Sequence, residues 1–206
     1  MSQELKPCWD SALALLTPEE CNGILKWFEP CEWREAGTYD EKYGNSTDPK
    51  YRKGRVKFFK QSKDMDWNHS HIPGPNMFPG HSKLQGFIEH FASKQNINID
   101  KDNIDWQLAE YKEGDHFKTH RDVHPDTRTF NAKVIRKVSV TVQLTDPDEY
   151  EGGVLRLPID NDMIQHAPKA IGDVTVFPSW YSHGVTKITK GTRYALVGWQ
   201  QGPFYR

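Results

Sequence analysis

The chain has 206 residues, 36% of them hydrophobic and 12% aromatic, and its 27 Lys and Arg nearly cancel its 28 Asp and Glu. That length supports one domain with a core of its own and needs no disulfide staple. The charge balance, with a pI near 6.8, leaves no general pull toward nucleic acid or an anionic membrane, and no apolar run is long enough to cross a bilayer.

In chain order, residues 1–16 carry Glu4 and Asp10 and only a short apolar stretch, so no secretory signal is expected. Cys8, Cys21 and Cys31 are odd in number and show no CxxC spacing. They are expected as reduced thiols of a cytoplasmic protein rather than as zinc ligands. A helix is predicted to open at Thr17, with Pro18 in its first position and Glu20 completing a capping box. Cys21, Ile24, Leu25 and Phe28 follow at helical spacing, and Pro30 ends the run.

Residues 35–53 are polar and contain Gly, Asp, Lys and Tyr; they interrupt possible strands at 32–39 and 55–60 and read as a mobile hairpin. Lys50, Arg52, Lys53, Arg55, Lys57 and Lys60 form a basic cluster there. It reads as a solvated hairpin edge guarded by charge, since no wider basic field supports nucleic-acid binding. A second loop, 61–81, holds His69, His71 and His81, which nothing converges; they are expected to face solvent. A second helix is predicted over 82–94, with Leu84, Phe87, Ile88 and Phe91 on one stripe.

From Asn103 the texture changes. Strands are predicted at 104–111, 116–122, 134–144, 153–157, 174–177 and 193–199, between turns at Gly114, Asp146-Pro147, Gly152-Gly153, Gly172-Asp173 and Gly191. Helices first and short strands after, without βαβ alternation, predict a mainly β (α+β) chain: an antiparallel sandwich or barrel with helices on one side.

One constellation carries chemistry. His120 and Asp122 leave a strand on the same face while Arg121 points away. With His183 they supply two imidazoles and a carboxylate, a set that suits iron(II) with open positions, although zinc accepts the same donors. Arg193 lies ten residues beyond His183. If its strand adjoins the one leading to His183, its inward set is Arg193, Ala195, Val197 and Trp199. An inward guanidinium needs an anion, and a carboxylate meets it bidentately. On 134–144 the alternate residues Ser139, Thr141 and Gln143 make a polar face, opposite the apolar Val138, Val140, Val142 and Leu144. A polar inner face beside a buried Arg describes a pocket for a small dianion next to the metal.

The order and spacing of Tyr111-Lys-Glu-Gly114, His120-Arg-Asp122, Tyr150-Glu-Gly-Gly153, Gly172-Asp-Val-Thr-Val-Phe-Pro, His183-Gly-Val, Gly191-Thr-Arg193-Tyr-Ala and Trp199 resemble the 2-oxoglutarate- and iron(II)-dependent dioxygenases, in their prolyl-4-hydroxylase-like branch. The resemblance covers roughly the last hundred residues. It implies a double-stranded β-helix (jelly roll) over 104–206, supported by helices and a hairpin within 1–103, the whole chain being a single domain. It implies iron held by His120, Asp122 and His183, and 2-oxoglutarate anchored by Arg193, with Tyr111, Gln143, Ser139 and Thr141 lining its pocket. Val197 stands where relatives carry a hydroxyl residue assisting the arginine, and Gln143 is the expected substitute. The anchor is Arg rather than the Lys of collagen-type enzymes, Lys187 lying on another register. Asp122 argues against halogenation, and Trp199 against nucleobase repair, where a second Arg would stand. Dioxygen is the implied co-substrate and ascorbate a stimulant.

The implied activity is hydroxylation of an aliphatic C–H in a prolyl or other residue of a protein or peptide. A free amino acid or other small molecule is the rival substrate, and a non-catalytic 2-oxoglutarate-binding module the rival of another class. No nucleic acid or membrane partner is expected. Trp180 and Tyr181 read as rim or core aromatics.

Overall fold

The computed structural model describes residues 8–40, 44–60, 77–123, 134–160 and 163–204. Its elements in chain order begin with β1 (Asp10–Ala12), α1 (Pro18–Trp27), β2 (Arg34–Glu35), β3 (Thr38–Asp40), β4 (Gly44–Ser46), β5 (Arg52–Lys53) and β6 (Arg55–Lys60). After α2 (His81–Lys94) come β7 (Ile104–Lys112), β8 (His116–His120), β9 (Val134–Gln143), β10 (Tyr150–Gly152) and β11 (Leu155–Asp160). The chain closes with β12 (Met163–His166), β13 (Val174–Pro178), β14 (His183–Val185) and β15 (Ile188–Pro203).

Both helices form where their periodicity placed them. Thr17 accepts from the Glu20 amide, and the Glu20 carboxylate accepts from the Thr17 amide, closing the capping box at 3.2 and 2.9 Å. The second helix starts at His81, which is 7% exposed and packs its ring edge-on to Phe78 and Trp106. His81 therefore does not face solvent as expected; apolar neighbours bury it. His69 and His71 lie outside the described residues.

All the strands but β3 and β4, which pair with each other, make two facing antiparallel sheets, a double-stranded β-helix. The larger runs β1-β13-β9-β15-β7-β6-β2, with β10 on the start of β15, and the smaller runs β12-β11-β14-β8-β5. The long β15 pairs with β7 along one edge and β9 along the other. β9 therefore separates β15 from β13, the strand leading to His183, and the expected direct neighbourhood is corrected. The inward set survives, because alternation fixes which residues share a face whatever strand lies beside them.

One face of the large sheet packs on the helices. Val138, Val140, Val142, Val174, Val176 and Leu196 meet Cys21 and Ile24 of α1 and Leu84, Ile88 and Phe91 of α2 in one buried cluster. Gly198 is required there, since a Cβ would stand 2.5 Å from the Trp106 ring. The other face looks across to the small sheet, and the site lies between.

The basic cluster divides. Lys50 and Lys53 are exposed as expected, but Arg52 and Lys57 are 8% and 7% exposed. Lys57 Nζ donates to the carbonyls of Phe28 and Glu29 at 2.9 and 3.2 Å, satisfying the C-terminal end of α1. Among the described residues, no helix is long and apolar enough to cross a membrane.

Candidate active site

His120 is the last residue of β8, and His183 the first of β14 directly opposite it in register. Asp122 lies just past the strand, held by its amide donating to Ser179 O at 2.9 Å. One ligand-type atom from each of the three lies within 4.8 Å of the others. His120 Nε2 is 3.6 Å from Asp122 Oδ1, and His183 Nε2 is 3.4 Å from Asp122 Oδ2. Arg121 points away, exposed, its Nε donating to Ser182 Oγ at 3.4 Å.

The second ring nitrogens set the tautomers. His120 Nδ1 is 2.8 Å from Lys118 O, and His183 Nδ1 is 3.0 Å from Tyr181 O. A carbonyl only accepts, so both Nδ1 atoms carry hydrogen and both Nε2 lone pairs face the cluster. Burial pushes the His183 imidazole down to about 4, against the opposing pull of Asp122, so it is neutral at pH 7. Burial alone would raise Asp122, but His183 and His120, with Arg136 beyond them, hold its carboxyl well below the usual range. Two imidazoles that turn their Nε2 atoms to the cluster, beside an ionised carboxylate, fit a divalent metal.

Ser139 was expected in the co-substrate pocket. Its hydroxyl instead donates to Asp122 Oδ2 at 2.6 Å and lies 3.0 Å from Ser179 Oγ. Ser139 and Ser179 are both fully buried, so they fix the carboxylate's orientation. Ser179 carried no sequence signal: it is one polar residue after Pro178, and only the fold brings it to Asp122.

Behind the cluster a cavity of about 460 Å³, its open mouth included, runs between the sheets. Arg193, Tyr111 and Thr141 line it, as expected, with Ala195, Val197 and Trp199. Arg193 is 1% exposed. Its Nε donates to Gln143 Oε1 at 3.1 Å, while its two terminal nitrogens have no partner among the described residues. Gln143 thus holds the guanidinium from behind and leaves its fork free, the orientation bidentate carboxylate binding needs. Gly153, at φ +60°, lets Arg193 reach this place, since a Cβ there would stand 2.9 Å from Arg193 Cδ.

Several lining residues gave no local sign of their position: Arg52, Gln107, Phe117, Leu155 and Phe177. Tyr150 is another neighbour of Arg193: burial raises its hydroxyl and Arg193 lowers it. The Gly152-Gly153 turn beside it was the one available clue. Trp180 and Tyr181 do not line this cavity; with Cys8, Pro158 and Arg121 they bound a separate groove.

A jelly roll holding a His-Asp-His cluster between its sheets, with a buried arginine fork beyond, defines a class, the 2-oxoglutarate- and iron(II)-dependent oxygenases. A family model described as the 2OG-Fe(II) oxygenase superfamily matches residues 106–201, just under half of the chain. A PKHD-type hydroxylase of Saccharophagus degradans is 42% identical over 69 residues, covering 34% of this chain and 30% of that protein. One of Gluconobacter oxydans is 37% identical over 93 residues, 44% of this chain and 40% of that one. The matches thus span well under half the length of these curated relatives. Among solved structures, a Pseudomonas putida prolyl-4-hydroxylase superposes with a TM-score of 0.64 at 15% identity, covering 96% of this chain and 94% of that one. A Trichoplax adhaerens prolyl hydroxylase, solved with a hypoxia inducible factor peptide fragment, gives 0.66 at 14% identity, covering 94% and 83%. At such identity the likeness establishes the fold.

Proposed function

We propose that the protein is a 2-oxoglutarate- and iron(II)-dependent dioxygenase hydroxylating an aliphatic C–H, that of a prolyl or other residue in a protein or peptide. The observation that carries this reading is the buried Arg193 fork, both terminal nitrogens without a partner among the described residues, in the same cavity as His120, Asp122 and His183. A metal site alone would not need it.

In this reading His120, Asp122 and His183 are the metal's protein ligands. Arg193 takes the distal carboxylate of 2-oxoglutarate, and Tyr111 and Thr141 line the co-substrate's path. Gln143 aims the guanidinium, and Ser139 aims Asp122. Iron(II) with 2-oxoglutarate, when bound, supplies the oxidative decarboxylation that splits dioxygen between succinate and the hydroxylated product, releasing carbon dioxide. The chain's own contribution is position, charge and exclusion of water. Leu155 and Val185 from the small sheet and Phe177 from β13 of the large one line the cavity with the cluster and make that part of its wall apolar. Charge then divides the cavity: Asp122 is negative at the metal, His183 neutral beside it, and Arg193 positive at the closed end.

We further infer that all 206 residues act as one catalytic domain, with 1–103 as support and 35–53 as a hairpin beside the site. The three free cysteines favour the cytoplasm. Ascorbate is expected to stimulate turnover by keeping iron reduced. A free amino acid or other small molecule is the second reading of the substrate, favoured by the modest volume of the cavity. A binding module without turnover would have little reason to keep the whole ligand set and the free fork together.

The test is succinate formation from 2-oxoglutarate with iron and ascorbate, run with mass spectrometry of Pro-containing peptides and free amino acids. Succinate in step with a gain of one oxygen supports the reading. Binding of 2-oxoglutarate without succinate under any of these conditions would leave only the binding module.

A further inference from the structure

The cavity holds a second arginine that the chemistry above does not use. Arg52 of β5 is 8% exposed and lines the same space as His120 and Asp122. Its Cζ lies 4.4 Å from the centroid of the Phe117 ring, and that ring stacks on His120 at 3.5 Å. One terminal nitrogen donates to Gly37 O at 3.0 Å, but Nε, which is buried, has no partner among the described residues. No carboxylate among them pairs with it either. A buried guanidinium left short of an anion is costly, and the cost is recovered when a ligand brings one.

A second positive group stands close by. A register shift between Gln200 and Gln201 lets β9 slip one residue against β15. Arg136 thereby comes over the Trp199 ring, its Cζ 3.9 Å from the centroid, although its even number would otherwise set it with the helix-facing valines. It interacts favourably with Asp122 and Asp105 and unfavourably with Arg52, so all four groups share one field. Asp122 is committed to the metal cluster, and Asp105 also accepts from Gln201 Nε2 at 3.2 Å. Among the described residues, these two guanidiniums therefore share one available carboxylate. Trp199 Nε1 and Gln107 Oε1 are also buried without partners among the described residues, and both residues line the cavity.

We propose that the primary substrate carries a carboxylate, received by Arg52 with Arg136 adding a second positive charge, and presents its reacting C–H to the metal cluster from there. This rests on the functional reading above and narrows it. Arg193 anchors the co-substrate at the closed end; Arg52 anchors the substrate on the Phe117 side. The shared chemistry is a carboxylic acid group, from either a free amino acid or an acidic residue flanking the target in a peptide. A neutral prolyl segment would leave Arg52 Nε unmet and does not fit.

The test uses zinc-loaded protein saturated with 2-oxoglutarate, with calorimetry and the Arg52 Nε–H proton–nitrogen signal as readouts. The probes are acid and amide pairs: L-proline, L-leucine and L-glutamate against their α-carboxamides, and acetyl-Asp-Pro-Asp-amide against acetyl-Asn-Pro-Asn-amide. At least one acid should bind about ten- to a hundredfold tighter than its amide, as loss of a charge-assisted hydrogen bond implies, and should shift the Arg52 signal. Whichever pair responds, free or peptide, identifies the source of the acid. The preference should vanish in Arg52→Gln and return in part in Arg52→Lys, which keeps charge but not the fork. The idea is overturned if no acid outbinds its amide, or if Arg52→Gln keeps the preference. The 2-oxoglutarate titration that precedes these additions reports on Arg193 alone. Its failure would overturn the functional reading, whereas an acid preference lost on top of normal 2-oxoglutarate binding would overturn only this one.

Discussion

Strand β9 has two faces that are almost equally buried and serve opposite ends. Val138, Val140 and Val142 are fully buried against the helices, while Ser139, Thr141 and Gln143 are between 0% and 7% exposed on the side of the cavity. Burial alone therefore does not separate core from site. Satisfaction does: Val138, Val140 and Val142 have no polar group to satisfy. On the inner side Ser139 and Gln143 each commit their hydrogen bonds to a charged neighbour, Asp122 and Arg193. The charged groups so held keep part of their capacity open, and that remainder is what a metal and a carboxylate can take.

If the two faces have these separate roles, substitutions on them must fail differently. The largest effect is expected at the cluster. Asp122→Ala should abolish succinate formation and reduce iron binding to that of two imidazoles, yet leave the cooperative melt of the protein intact, because Asp122 stands past the end of β8 and outside the apolar cluster. A melt that collapses together with metal binding would merge the two faces into one structural unit. Next comes Arg193→Leu. Removing one partner of a buried pair costs roughly 3–5 kcal/mol, or roughly a hundred- to several-thousand-fold in 2-oxoglutarate affinity. Metal affinity should move far less, as read by anaerobic titration of the iron-loaded protein. Wild-type affinity for 2-oxoglutarate there would place the anchor elsewhere.

The complementary experiment is on the other face of β15. Leu196 is fully buried among the helix-facing residues, and Leu196→Ala should cost about 2–5 kcal/mol of stability through the cavity it leaves. Denaturant unfolding measures that loss. Affinity for 2-oxoglutarate, taken well below the new melting point, should stay within about twofold, since additivity holds for sites without shared partners. A large loss of affinity would show that packing under the sheet sets the position of Arg193 on top of it.

Much of this division was legible beforehand, for a reason that also explains where it was not. The capping box at Thr17, the stripe on α2 and the alternation of β9 are local patterns, and each survived intact. His120 and Asp122 followed from a two-residue period at a strand end. The inner set of β15 came out right although its neighbour is β9, because alternation is local and pairing is not. The strands β1, β10, β12 and β14 have three or four residues, too few to show a period, and were passed over. Arg52 was hidden in a run of like charges: Lys50 and Lys53 are exposed on either side of it, and what buries Arg52 is Phe117 on a distant strand. Ser179 and Gln107 were invisible for the same reason, their partners or cavity being assembled only by the sheets.

The smallest of the expected effects tests the inner face most sharply, because it touches neither metal nor co-substrate. Ser139 meets Asp122 Oδ2 at 2.6 Å, and the same oxygen lies 3.4 Å from His183 Nε2. Without the hydroxyl the carboxylate keeps its charge and its backbone anchor at Ser179 O but loses the donor that fixes its rotation. Partners of this kind typically contribute about ten- to a hundredfold to metal affinity, so Ser139→Ala should weaken iron binding by roughly that factor. At saturating iron most of the activity should return, and 2-oxoglutarate affinity should match wild type, since Gln143 and Arg193 are untouched. A stability loss without a change in iron affinity would make Ser139 a packing residue. Loss of 2-oxoglutarate binding at saturating iron would return it to the co-substrate pocket, where its place in the alternation with Thr141 and Gln143 had put it.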